Sequence, residues 1–204
     1  MDSGHWQLII RWVHILGGII WIGNLYFFNW TNVHFEKILD AEMKKKVVPE
    51  LRGRALYWFR WGAMITFLAG LILLYLIYSN ELMGRVPFGD NIRFHWILMG
   101  SLFGTIMWFN VWFVIWPRQK KILTAIRDGQ APEAAMVAMA GKASRLNTYL
   151  SYPMLAGMIV ASHSDKLGMT AGTNFITLVI VVVITFAISF MHLNRIAGKI
   201  KLGF

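Results

Sequence analysis

Cysteine is absent from the 204 residues. Its absence excludes disulfides, thiolate metal centres, iron–sulfur clusters and a covalently attached c-type haem, leaving histidine, methionine, carboxylates and backbone as possible ligands. Charge is also scarce, at 15% of residues, where a soluble domain carries about 25%. No acidic side chain falls inside the apolar stretches described below, which argues against a carboxylate proton relay or a cation pump. No nucleotide-binding glycine loop, nucleophile elbow or zincin motif occurs. Internal repeats and low-complexity tracts are missing as well.

What the chain has is apolar surface. Hydrophobic residues make up 57% of it and mean hydropathy is +0.53, too much for one soluble core. Five stretches are long enough to cross a bilayer: residues 7–30, 56–78, 94–116, 146–163 and 173–193. Apolar residues encircle each one instead of forming a single stripe, as contact with lipid requires. The last contains FITLVIVVVITFAISF, a β-branched run that would favour a strand in water. Lipid cannot satisfy open strand edges, so it is expected to be helical. The expected fold is an all-α integral membrane protein, a single domain of residues 1–204 built as a bundle of five transmembrane helices.

The formal charge of +10 is unevenly placed. Lys37, Lys44, Lys45, Lys46, Arg52 and Arg54 lie between the first two stretches, and Arg118, Lys120, Lys121, Arg127, Lys142 and Arg145 between the third and fourth. Arg195, Lys199 and Lys201 follow the fifth. The opposite side carries only Arg85, Arg93 and Lys166. The positive-inside rule therefore puts the N-terminus outside and the C-terminus in the cytoplasm. Anionic lipid accounts for the basic face, so no nucleic-acid partner is needed. No cleavable signal peptide is expected: the first apolar run is too long, lacks a basic leader and contains Arg11. The two basic loops read as amphipathic segments able to lie on the membrane surface, and the loop with Gly84, Pro87 and Gly89 as irregular.

Six histidines sort by depth. His14 is about 10 Å into the first stretch at 1.5 Å per residue; His95 opens the third and His163 closes the fourth, all toward the outer face. Three imidazoles from three helices suit a haem b in the bundle, with two as axial ligands and the third holding a propionate or lining a quinone pocket. The metal-ligating candidates are therefore His14, His95 and His163. Gly17, Gly18 and Trp21 share the helix face of His14 and could admit and cover a flat macrocycle. Arg11, one turn outward, and Arg93, beside His95, could hold propionates. Gly17 and Gly18 equally suit helix packing, as do Gly100 and Gly104. His5 and His34 read as solvated, and a second, inner haem between His34 and His192 is the alternative placement. Asn24, Asn110 and Asn147 are expected to bond between helices.

Four stretches resemble, in order, the membrane domain of bacterial membrane-bound urate hydroxylase, the urate oxidase N-terminal family. They are RWVHILGGIIWIGNLYFFNW, LYWFRWGAMITFLAG, GSLFGTIMWFNVWFVIWPRQKKI and SRLNTYLSYPMLAGMIVASH. His14, His95 and His163 stand at histidines of the family pattern. The pattern also has histidines where this chain has Tyr57 and Leu146, and a carboxylate near Gly62. Family members can carry further helices and a cytochrome c domain; this chain reads as a short form. The resemblance implies a bacterial inner-membrane protein with b-type haem, one or two per chain. It would pass electrons between quinol or a partner dehydrogenase and a cytochrome c-type carrier, within a hetero-oligomeric respiratory complex. A urate or purine oxidoreductase is the enzymatic alternative, and a cofactor-free anchor subunit the non-catalytic one.

Overall fold

The computed structural model describes residues 3–87, 91–164 and 171–200. Gly89, Lys166 and Lys201, named above, lie outside the described residues. Every described element is helical: α1 (Ser3–Tyr26), α2 (Val33–Ile38), α3 (Ala41–Leu82), α4 (Ile92–Phe109), α5 (Trp116–Arg127), α6 (Ala134–Ala161) and α7 (Ala171–Met191). π-helical turns at Phe27–Asn32 and Asn110–Ile115 join α1 to α2 and α4 to α5, and a third, His192–Ile196, follows α7. The β-branched segment is helical, as lipid demands.

Four of the resulting rods, Gly4–Ile38, Ala41–Leu82, Ile92–Arg127 and Thr173–Lys199, are long and apolar enough to cross a membrane. The other, α6, has 28 residues, about 42 Å at 1.5 Å per residue. It is less apolar because it carries the polar layer of the bundle: Asn147, Thr148 and Ser151 are fully buried on it.

The basic loops differ from expectation. The segment with Lys44–Lys46 is the first part of α3, which runs unbroken through Pro49, so only Leu39 and Asp40 separate it from α2. Asp40 caps α3 by accepting from the Met43 amide at 2.8 Å. The segment with Arg118–Lys121 is α5, and Lys142 and Arg145 already belong to α6. Helical hydrogen bonding continues past the apolar limit because charged side chains cost nothing to a helix that has left the bilayer. By contrast, residues 83–87 are irregular as expected, with Gly84 at φ +69°. Asn91 then caps α4 by accepting from the Phe94 amide.

Packing pairs α1 with α3 and α4 with α6, and α7 closes on α6. One core cluster gathers Trp21, Leu25, Phe59, Ala63, Met107 and Val111; a second is built on Trp96, Met99 and Ala161. Gly100 and Gly157 let α4 and α6 touch: a Cβ on Gly157 would stand 2.9 Å from the Trp96 carbonyl oxygen. Gly100 is thus a packing residue, as expected. Between its charged ends the surface is largely apolar, with Ile176, Val183 and Ile184 of α7 exposed, as contact with lipid tails requires.

Candidate functional site

A cavity of about 210 Å³ opens between α1, α3, α4 and α6 at the end of the bundle that carries the N-terminus. His14 and Arg11 enter it from α1, Arg93 and Ser101 from α4, Tyr78 from α3 and Met158 from α6; Leu73, Leu74 and Ile77 supply an apolar wall. Three of the eight residues singled out in the sequence therefore meet in one place: Arg11, His14 and Arg93.

The position of His14 is set by α3. Its Nδ1 lies 2.8 Å from the carbonyl oxygen of Thr66. A carbonyl can only accept, so Nδ1 carries the proton and the neutral ring keeps its lone pair on Nε2. That is the arrangement in which a metal-ligating imidazole is held by a second bond. Gly70 makes room for the ring, since a Cβ there would stand 3.0 Å from His14 Cε1. Thr66 closes on its own helix, donating from Oγ1 to the Gly62 carbonyl at 2.7 Å.

The glycines and tryptophan on the His14 face are used differently from the haem-approach reading. A Cβ on Gly17 would be 2.8 Å from Thr66 Oγ1, and one on Gly62 would be 2.9 Å from the Trp21 amide nitrogen. Gly17 thus lets α1 lie backbone-close against α3. Gly18 is 3.9 Å from Thr66 by the same measure, and Trp21 is buried in the core cluster. None of the three lines the cavity. They place His14 by fixing the helix crossing.

His95 and His163 do not join His14. His95 points to α7, where Asn174 Nδ2 is 2.9 Å from its Nδ1. The Trp96 indole N–H donates to Asn174 Oδ1 at 2.8 Å, which fixes the amide so that Nδ2 faces the histidine. His95 Nδ1 must then accept and its proton sits on Nε2, so this tautomer has no lone pair to give a metal. His163 is exposed and donates from Nδ1 to the Ile159 carbonyl of its own helix at 2.9 Å. Among the described residues no three histidine or acidic side chains stand together as a metal site. The three-histidine cluster is therefore corrected to a site with one histidine.

At the other end of the bundle, His192 stacks on Trp30 at 4.5 Å between centroids, and its Nδ1 is 2.7 Å from the Tyr152 hydroxyl. Trp30 stacks in turn on Tyr26 at 4.0 Å. His34 is half-buried beside Gly198, less open to solvent than expected. With one face on Trp30 and Nδ1 engaged by Tyr152, His192 holds the C-terminal turn to the first rod. Asn110 and Asn147 do bond between helices, with Asn110 Nδ2 donating to Asn147 Oδ1 at 2.8 Å. Asn24 instead donates to Ile20 on its own helix.

Thr66, Gly70, Tyr78, Ser101 and Met158 were not singled out from the sequence. A signal existed for two of them: Gly62, Thr66 and Gly70 recur every four residues, a small-residue stripe on one helix face.

No curated protein and no solved structure matches this chain. The urate oxidase N-terminal family matches residues 90–203, a range that takes in the third and fourth motifs together with Arg93 and Met158 of the cavity. That match covers more than half of the sequence, and the chain belongs to the urate oxidase N-terminal family.

Proposed function

We propose that this chain is a membrane b-type haem protein that transfers electrons, with its haem held at the His14 cavity. The observation that carries the reading is an imidazole with Nδ1 tied to a backbone carbonyl and Nε2 available, in a cavity that also receives two arginines. This donor set fits a porphyrin bearing two carboxylates: His14 for iron, Arg11 and Arg93 for the propionates, and aliphatic side chains for the ring. Of the other cavity residues, Met158 and Tyr78 carry atoms that can ligate iron, and the thioether of Met158 is the preferred second ligand. The enclosed volume of about 210 Å³ is below the 300–1,000 Å³ usual for such sites. Leu73, Leu74 and Ile77 must therefore part to admit the whole ring.

Haem would supply a one-electron couple. The chain's own contribution is to orient the ligand through Thr66, to raise the potential with two nearby cations and to keep water from the apolar wall. In the membrane we place five crossings, with α6 as the fifth, the cavity end outside and the basic end in the cytoplasm of a bacterial inner membrane. Quinol or a partner dehydrogenase would donate electrons, and a cytochrome c-type carrier would accept them, within a hetero-oligomer.

The test is a pyridine haemochrome assay on purified protein. It is expected to give one b-type haem per chain, and none for His14→Ala. A folded wild-type chain without haem would refute the assignment. Membership of the urate oxidase N-terminal family favours a second reading, oxidation of urate or a related purine, which predicts that added urate reduces the haem.

A further inference from the structure

Arg60 is a cation held by aromatic rings alone. Its guanidinium carbon lies 3.8 Å from the centroid of Trp116, with Tyr57, Trp61 and Trp112 at 5.7 to 5.9 Å. Its Nε is buried with no acceptor. Three other arginines at this end of the bundle have protein acceptors: Arg52 pairs with Glu36, Arg54 with Glu50, and Arg118 donates to the Val114 carbonyl. No Asp or Glu occurs in residues 56–78 or 94–116, the stretches that build the cage.

Aromatic faces attract the guanidinium and orient it, but they do not neutralise it. A whole charge this close to hydrocarbon favours an anionic partner. Arg60 stands four residues past Leu56, where the second apolar stretch begins, about 6 Å along the helix at 1.5 Å per residue. That depth adjoins the phosphate layer of the leaflet. A planar fork of N–H donors matches a phosphate's oxygens, and the exposed rings of Tyr57 and Trp61 offer the acyl chains a rigid apolar wall.

We propose that Arg60 and its ring cage bind the phosphate of one anionic phospholipid in the leaflet at the basic end. The site is independent of the haem reading. It explains why an arginine is placed among four aromatic side chains with no carboxylate to meet it.

The experiment is native mass spectrometry of the delipidated chain. Phosphatidylglycerol is titrated against phosphatidylcholine with the same acyl chains, with inorganic phosphate as a further arm. The wild type should retain one phosphatidylglycerol in preference to phosphatidylcholine, and Arg60→Gln should bind it about tenfold more weakly, the loss of one charge-assisted contact. Arg60→Lys keeps the charge but loses the fork and the stacking, so weaker retention is expected there too, which covers a failure of Arg60→Gln to fold. Equal binding of the two lipids, or unchanged retention in a folded Arg60 variant, would overturn the proposal. Displacement of the lipid by millimolar inorganic phosphate would overturn the lipid assignment as well.

Discussion

The imidazole of His14 donates from Nδ1 to the main-chain carbonyl of Thr66 across 2.8 Å, so one helix supplies the ring and its neighbour decides which nitrogen faces the cavity. Replacing the ring should therefore act on cofactor content and not on the fold. His14→Ala is expected to reduce bound haem to background while the helical circular dichroism signal stays the same. Haem retained at wild-type stoichiometry would point to a different ligand.

Gly70 tests the same geometry from the other side. A methyl group there would stand 3.0 Å from His14 Cε1, tighter than nearly all such contacts, so the ring must shift by a few tenths of an ångström against its bond to Thr66. Gly70→Ala is expected to lower haem occupancy several-fold and shift the Soret band. Gly23→Ala, with open space around its Cβ position, should leave both unchanged.

Arg11 and Arg93 reach the cavity from different helices. A cation near iron favours the reduced form, so Arg11→Gln and Arg93→Gln should each lower the midpoint potential, and the double variant should lower it further. Potentiometric titration of the Soret band measures this. A rise in either single variant would contradict the propionate assignment.

Asn147 is fully buried and has two partners: it accepts from Asn110 and donates to the Met107 carbonyl at 2.9 Å. Asn147→Leu would leave the half-buried Asn110 amide and the buried layer on α6 without this bond. The expected cost is about 1–3 kcal/mol, seen as a lower unfolding temperature in detergent with the haem site intact.

The cysteine-free sequence makes topology directly measurable. Single cysteines at Lys45 and Arg85, on opposite sides of the second apolar stretch, should label from opposite faces of intact cells. A membrane-impermeant maleimide is expected to reach Arg85→Cys and not Lys45→Cys. Labelling of both from outside would reverse or break the proposed arrangement.

Much of this architecture was legible in residue order, because the bilayer leaves few options. Long apolar runs must be helices, and all five runs are helical, the fourth up to Ala161. Helix ends were not legible: α3 begins at Ala41, well before its apolar run, since hydropathy reports where lipid stops and not where hydrogen bonding stops. Arg11, His14 and Arg93 could be brought together because each sits toward the same end of its helix. The failure of His95 and His163 to join them was invisible, since depth says nothing about rotation about the helix axis. His95 is turned to α7 by Asn174, a partner almost eighty residues away in sequence. The roles of Gly17 and Trp21 depended in the same way on a neighbour, α3, whose small-residue stripe becomes meaningful only once the two helices cross.

Helix α3 extends for 42 residues, about 63 Å at 1.5 Å per residue, roughly twice the thickness of a bilayer's hydrocarbon interior. Its first departure from helical geometry is at Tyr78, beyond both Thr66 and Gly70. A subunit docking on the exposed lysines near Lys45 would thus touch the same helix that carries the carbonyl steering His14. The basic end and the haem end are thus joined by one helix with no loop between them.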